Sequence, residues 1–333
     1  TLDIPNRSIQ RAYPYVALNL IGSTLFLCAG GFFYSLFGSL NFAKISELSA
    51  AMTFDVRLVL VGILLVCIFG LKAGFFPLYY WLPNSYTILP TAIGGLFAGL
   101  LTKVGLYAII RVFTTILPHT LDAAYELILF LAIPTMVLGI MGALAKRTIK
   151  EILCYNLISH IGFMMLAISL FSEKSVSAAI FYMIHHVIVI ASLFLITGVL
   201  VKLIGDDSLD SSGHLWHLTP FIGVLFLIQS LSLAGLPPFS GFWGKFMILK
   251  EGLYHEEFLA VGALIVASII TLWSLLRIWF CIFYQSKEDM NVNLTFLGRK
   301  RLTLVCTLIT IVSLGVSIKA NSIISITNKA AES

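Results

Sequence analysis

The stretch at residues 233–245 reads LAGLPPFSGFWGK, and it lies inside an apolar segment that runs from residue 219 to 250. Proline removes a backbone N–H donor, and its ring clashes with the preceding helical turn. A helix through this segment should therefore break at Pro237 and Pro238. Irregular backbone is tolerated in the hydrocarbon of a membrane only where it faces other protein or a water-filled cavity.

A second stretch of the same kind lies earlier in the chain. Residues 69–77 read FGLKAGFFP and bring Pro77 deep into the apolar segment 57–82. A pair of Gly/Pro-interrupted spans, one in each half of a repeat, indicates the ion site of a transporter. Each break taken alone could equally be a kink that serves packing. The occurrence of both breaks in one chain, each with a lysine nearby, favours the interpretation as an ion site.

The composition is that of an integral membrane protein. Of the 333 residues, 59% are hydrophobic and only 11% are charged, whereas soluble domains carry about 25% charged residues. So little charge cannot cover the surface of a soluble globule of this length, which excludes a soluble enzyme. The modest net charge of +5 does not indicate a nucleic-acid partner. The five cysteines lie in apolar segments without metal-ligand spacing, so we expect neither a metal nor a prosthetic group.

Nine apolar segments are long enough to span a membrane, since a spanning helix needs about 20 residues. They lie at 13–38, 57–82, 92–117, 121–145, 149–171, 175–204, 219–250, 257–285 and 302–325. The predicted fold class is an all-α membrane protein of one transmembrane domain, with two broken helices. Lys and Arg are more frequent in the connections on the amino-terminal side, which predicts a cytoplasmic amino-terminal end and an external carboxy-terminal end. The chain opens with Thr1 in a polar stretch, so we expect it to begin partway through a longer protein.

Three lysines lie well inside apolar segments, away from the segment ends, where an ionisable group is costly and therefore a functional candidate. Lys72 precedes the break at Pro77, Lys103 lies mid-span, and Lys245 follows the second break. An apolar medium disfavours the charged form of an amine, which allows such a lysine to load and release a proton. The alternative is a lysine that extends to the membrane surface, and it is strongest for Lys245.

Three histidines lie in the centres of two consecutive segments. His160 is followed one segment later by the pair His185 and His186. Histidine titrates near neutral pH, so it can pass protons without a large cost in either state. The alternative is that each one hydrogen-bonds a neighbouring helix as a structural group. Arg277 also lies inside an apolar segment, where it could face the relay or serve packing.

Five runs of sequence, in this order, resemble the antiporter-like membrane subunits, a family that includes the large membrane subunits of respiratory complex I and of Mrp-type sodium/proton antiporters. The runs are GLKAGFFPLYYWLP (70–83), PTAIGGLFAGLLTKVGLYAIIRVFT (90–114), YNLISHIGFMMLA (155–167), AIFYMIHHVIVIASLFLITG (179–198) and LAGLPPFSGFWGKF (233–246). The LLTKVG run, the IHH pair and GFWGK favour the Mrp branch of the family.

The resemblance implies a 14-helix fold with two inverted repeats, of which this chain resembles the last nine helices. Residues 1–117 would then be the end of the first repeat, residues 121–285 the second repeat, and residues 302–325 the final helix. It also implies roles for single residues. Lys72 would be the central lysine of the first half-channel and Lys103 the connecting lysine. Lys245 would be the ionisable group of the second broken helix.

The chain departs from the family pattern at two points. Family members usually carry a glutamate on an earlier helix that pairs with the lysine at position 72, so we expect Lys72 to be unpaired or hydrated here. Similar sequences often have a lysine four residues after the second histidine of the pair, where this chain has Ile190. The second half-channel would then depend on His186 in place of that lysine, or it would conduct poorly.

The sequence therefore predicts a subunit of a multisubunit cation/proton antiporter, with sodium the expected cation, in a bacterial cell membrane. Protons would pass along Lys72, Lys103, His160, His185, His186 and Lys245. Other subunits of the complex, protons, a monovalent cation and membrane lipids are the expected partners. Two alternatives remain: a proton-pumping membrane subunit of a quinone-linked respiratory complex, and a membrane scaffold that transports nothing.

Overall fold

The fold is that of a computed structural model, which describes residues 6–51, 56–117, 121–211, 215–285 and 300–332. Within these residues the chain is helical and has no strand; Thr148 and Ser208 form an isolated β-bridge. The α-helices are α1 (Asn6–Phe37), α2 (Phe42–Ala51), α3 (Val56–Ala73), α4 (Trp81–Tyr86), α5 (Thr91–Leu96), α6 (Thr102–Arg111), α7 (Leu121–Ala145), α8 (Ile149–Ser169), α9 (Glu173–Ile204), α10 (Pro220–Ala234), α11 (Ser240–Tyr254), α12 (Phe258–Phe283), α13 (Lys300–Ile318) and α14 (Ala320–Glu332).

The first predicted break lies between α3 and α4. Helix α3 ends at Ala73, and Gly74 follows with a φ of +77°, which glycine adopts without strain. Pro77 then precedes the 3₁₀ turn Leu78–Tyr80, after which α4 begins. The break predicted at Pro77 is confirmed.

The second predicted break lies between α10 and α11. Helix α10 ends at Ala234, and Gly235 has a φ of +87°. The backbone N–H of Gly235 donates to the carbonyl of Leu231, which closes the end of the helix. Pro237 and Pro238 occupy the gap before α11, so this break is confirmed as well.

Seven helices in the described part of the chain are long and apolar enough to span a membrane, and an eighth span results if α13 and α14 are taken together. The predicted segment 219–250 is divided into α10 and α11, of 15 residues each. The predicted segment 302–325 is not one straight helix, because α13 ends at Ile318 and α14 leaves it at an angle of 75°. The count of nine spans stays a prediction.

Helices α8 and α9 form the centre of the bundle. Almost every residue of α8 is buried, and α9 packs against α8, α5, α10, α11, α13 and α14. Glycines bring α7 within backbone contact of α8. A Cβ at Gly139 would lie 2.5 Å from the backbone nitrogen of Ser159, and one at Gly162 would lie 2.7 Å from that of Met136. Such close approach through small residues is how membrane helices associate.

The carboxy-terminal end of α7 is capped by Arg277 of α12. Its guanidinium donates to the carbonyl of Leu144 at 2.8 Å and to that of Lys146. The last carbonyls of a helix lack intrahelical donors and carry negative partial charge, so a guanidinium stabilises them. Arg277 is therefore a packing residue of the fold.

Replacing Gly162 with Val should destabilise the bundle, because the added atoms would overlap the backbone of α7. Overpacking of this kind costs about 1–3 kcal/mol. The measurement is the thermal midpoint of the detergent-solubilised protein, followed by size-exclusion chromatography. Gly262→Val is the matched control, since nothing lies within 4 Å of a Cβ at this exposed position of α12. Equal midpoints for the two variants would contradict the close packing of α7 on α8.

Candidate functional site

The three histidines of the predicted relay lie together between α8 and α9. His160 and His186 are fully buried, and their ring centres are 5.3 Å apart. Tyr182 joins them to His185: its hydroxyl lies 2.5 Å from Nδ1 of His160, and its ring centre lies 5.4 Å from that of His185. The cluster therefore has two branches that meet at Tyr182. One runs from Tyr182 through His160 to His186, and the other runs from Tyr182 to His185.

The His185 branch leads to the second broken helix. Nδ1 of His185 lies 2.8 Å from the hydroxyl of Ser240, the first residue of α11. The hydroxyl of Ser240 lies 3.4 Å from that of Ser232, near the end of α10. A Cβ at Gly241 would lie 1.9 Å from the carbonyl oxygen of Ser232 and 3.0 Å from Nε2 of His185. Only glycine allows α9, α10 and α11 to come this close.

Lys245 lies at the same break and is only 6% exposed. Its Nζ donates to the carbonyl of Ala234, the last residue of α10, at 2.7 Å. It also lies over the ring of Phe163 at 4.9 Å, next to His160 on α8. The carboxy-terminal end of a helix carries negative partial charge, and an aromatic face attracts a cation, so both contacts stabilise a buried ammonium. Lys245 does not extend to the membrane surface.

Lys103 is also only 6% exposed, and its amine meets an irregular turn. Its Nζ donates to the carbonyl of Ala98 at 2.7 Å and to the hydroxyl of Thr102 at 3.2 Å. Ala98 belongs to the π-helical turn Phe97–Leu101 between α5 and α6. Turns of this kind are frequent at functional sites. Lys103 and Lys245 both interact electrostatically with His186.

Lys72 lies apart from this cluster, in the last turn of α3. It is half-buried and lines a cavity of about 540 Å³ between α1, α3 and α6. Its Nζ donates to Oδ1 of Asn19 on α1 at 2.7 Å. The partner that the structure gives to Lys72 is thus a neutral amide, in part of the place that the resemblance gave to a carboxylate. The expectation that Lys72 lacks a paired carboxylate stays a prediction. Gly105 brings α6 against α3 here, because a Cβ would lie 2.8 Å from the nitrogen of Ala73.

Several buried polar groups of the histidine cluster, and others on α9 and α10, have no hydrogen-bond partner within the described residues. Within the described residues, no partner is found for both ring nitrogens of His186, for Nε2 of His160 and His185, or for several hydroxyl and amide groups of α9 and α10. The latter are Ser192, Thr197, Gln229 and Ser230. A buried polar group without a partner costs about 1–3 kcal/mol, and in native proteins ordered water commonly satisfies such groups. The arrangement is therefore suited to water and to proton transfer.

The sequence reasoning missed Tyr182, Ser240 and Gln229. Tyrosine, serine and glutamine at these positions carry no motif of their own. The spacing did hold a weak signal, since Tyr182 precedes His186 by four residues and so lies on the same face of α9.

The chain was compared with known families and structures. The family described as NADH:quinone oxidoreductase/Mrp antiporter, transmembrane region, matches residues 5–271. The D subunit of the Na⁺/H⁺ antiporter of Bacillus subtilis is 38% identical over 286 residues, which cover 86% of this chain and 58% of the relative. The corresponding D subunit from Alkalihalophilus pseudofirmus is 35% identical over 292 residues, with the same two shares. The chain thus spans less than two thirds of the length of these relatives.

Solved structures give the same fold. A chain of the Mrp complex from Dietzia superposes with a TM-score of 0.88 at 25% identity, covering 97% of this chain and 67% of that one. A chain of respiratory complex I from Thermus thermophilus superposes with a TM-score of 0.82 at 22% identity, with shares of 97% and 69%.

Tyr182→Phe should lower the stability of the protein, because it removes the hydroxyl that contacts His160 and leaves both nitrogens of that ring without a partner. The expected loss is about 1–3 kcal/mol in the free energy of unfolding, read as a lower thermal midpoint in detergent. Tyr107→Phe, at a position 58% exposed on α6, serves as control and should change nothing. If both variants melt like the parent, the hydroxyl of Tyr182 does not hold His160.

Proposed function

This chain belongs to the family of NADH:quinone oxidoreductase and Mrp antiporter membrane subunits, and we propose that it is the D-type member of a multisubunit Na⁺/H⁺ antiporter. The chain is 38% and 35% identical to two subunits named D of Na⁺/H⁺ antiporters, and this supports the D-type assignment within the family. In this proposal the chain lies in a bacterial cell membrane with its amino-terminal end in the cytoplasm. Its partners are the other subunits of the complex.

Protons would move through the buried lysines and histidines. The observation that carries the proposal is the contact of His160, Tyr182, His185 and Ser240 beside the ammonium of Lys245. Each of these side chains can accept and donate a proton, and the hydroxyls can also reorient. The distances of 2.5 Å between His160 and Tyr182 and of 2.8 Å between His185 and Ser240 permit proton transfer without large movements.

Transfer between the lysines would be electrostatic. A proton that loads Lys103 or Lys245 changes the potential at His186, because all three lie in one region of low dielectric. Lys72 would take part through the contact of α3 with α6, and the amide of Asn19 would hold its ammonium in place without neutralising it.

Two other functions compete with this one. A proton-pumping subunit of a respiratory complex is supported by the superposition on complex I, but that likeness, at 22% identity, concerns the fold. A scaffold without transport accounts poorly for the buried polar atoms that lack partners near His186.

Lys72→Ala should abolish cation-driven proton flux in everted vesicles that hold the full complex, because Lys72 would load the first half of the relay. Flux is followed by a fluorescent ΔpH probe after addition of Na⁺, and assembly is checked on the same membranes. We expect at least a tenfold loss at normal assembly. Lys174→Ala is the control, since this lysine is exposed in the first turn of α9. Unchanged flux in the Lys72 variant would remove it from the relay, and lost assembly without a separate loss of flux would favour the scaffold.

Ile190 provides a rescue experiment. It is fully buried and lies one helical turn from His186 on the same face of α9. His186→Phe should lower flux at least tenfold. Adding Ile190→Lys should restore a substantial part of it, because a titratable group would again lie on this face of α9. Ser192→Lys in the same background is the comparison, since this position lies on a different face of α9. A His186→Phe variant with normal flux would show that the histidine does not carry protons.

A further inference from the structure

A cavity of about 260 Å³ reaches Lys245 from the outer surface of the bundle, between the break after α10 and helices α11 and α12. Its wall is apolar and includes Phe242 and Leu249 of α11 and Leu264 and Leu272 of α12. Ala234, which accepts the hydrogen bond of Lys245, also lines the cavity, whereas Phe163 and the three histidines of the cluster do not.

The mouth of this cavity opens between apolar side chains on the outside of the bundle. Phe246 is 48% exposed, Ile265 is 43% exposed and Ile269 is 65% exposed, and all three line the cavity. In a membrane-spanning chain, exposed apolar side chains contact hydrocarbon wherever no neighbouring subunit covers them. A ligand of this cavity therefore arrives from the membrane and carries an apolar chain.

Two polar groups mark the inner end. Lys245 has three donors when protonated, of which one is taken by the carbonyl of Ala234. Ser268 lines the same cavity, and its hydroxyl donates to the carbonyl of Leu264 within α12 at 2.8 Å. That hydroxyl can turn towards a stronger acceptor. An apolar pocket with a few convergent polar groups is the usual form of a small-molecule site.

We propose that this cavity binds an amphipathic carboxylic acid from the membrane, of the medium-chain fatty-acid class. The carboxylate accepts from Nζ of Lys245 and from the hydroxyl of Ser268, and the alkyl chain lies between Phe246 and Ile269. Charge complementarity selects this ligand over a neutral chain, since Lys245 is the ionisable residue of the lining and its amine, when protonated, is a cation that pairs with a carboxylate.

Photolabelling tests the site directly. The probe is a ten-carbon fatty acid that carries an alkyl diazirine, applied to vesicles that hold the full complex, and the corresponding alcohol is the neutral probe. After illumination, labelled peptides are identified by mass spectrometry. The acid should label the parts of α11 and α12 that line the cavity, at least fivefold more than the alcohol, and excess decanoate should remove the label.

Substitutions test the shape of the cavity and its charge separately. Ile269→Trp fills the mouth and should lower labelling at least fivefold, whereas Leu259→Trp, at a position 72% exposed on the same helix, should leave it unchanged. Lys245→Met should remove the preference for the acid over the alcohol. Equal labelling by both probes in the parent protein, or undiminished labelling of Ile269→Trp, would overturn the proposal. An absence of label would also overturn the proposal, because it would mean that a neighbouring subunit covers the mouth of the cavity. Labelling does not depend on ion flux. The outcome of the photolabelling experiment is therefore independent of the outcome of the flux experiments that test the proposed function.

Discussion

The cost of holding an ammonium away from water governs this structure. Lys245 and Lys103 are each 6% exposed, and the isolated charge would be excluded from such surroundings. In both places a backbone carbonyl at an irregular turn receives the amine: the carbonyl of Ala234 ends a broken helix, and that of Ala98 lies in a π-helical turn. A regular helix keeps its carbonyls for its own N–H groups. The breaks therefore do not simply interrupt the helices, because they supply the acceptors that allow a lysine at this depth.

The same constraint explains why α9 lies at the centre. It carries His185 and His186 on neighbouring faces, so that one histidine reaches the α10–α11 break and the other reaches His160 on α8. Tyr182, one turn earlier, contacts both branches. Helices can approach α9 from several sides because glycines face it, such as Gly241 at the break and Gly244 beside Tyr182. Close packing and polar contact thus depend on the same few positions.

The parts of this architecture that could be predicted are those with a local cause. Each break combines a proline with a glycine in the left-handed conformation, Gly74 before Pro77 and Gly235 before Pro237, so both breaks followed from the sequence, whereas Pro134 alone lies inside the continuous helix α7. The long apolar runs determined the class of protein in the same way. The partner of Lys72 could not be predicted, because Asn19 is 53 positions away and no sequence motif links the two residues. Nor could the bend after Ile318, where the chain has neither proline nor glycine to mark it. Tyr182 and Ser240 became recognisable only when the packing of α8, α9 and α11 brought them to the histidines.

The position of Ile190 bears on how charge can move through this chain. A lysine there would add a third cation to the region of Lys103 and Lys245, and like charges in a medium of low dielectric repel strongly. With isoleucine, the central groups are histidines, which can be neutral while both lysines are charged. His186 interacts electrostatically with both lysines, so in the proposed relay a change of charge at either lysine would alter the balance at this histidine. A titratable histidine in that place would pass charge without a fixed third cation to overcome, which is what the proposed exchange of protons and cations would need.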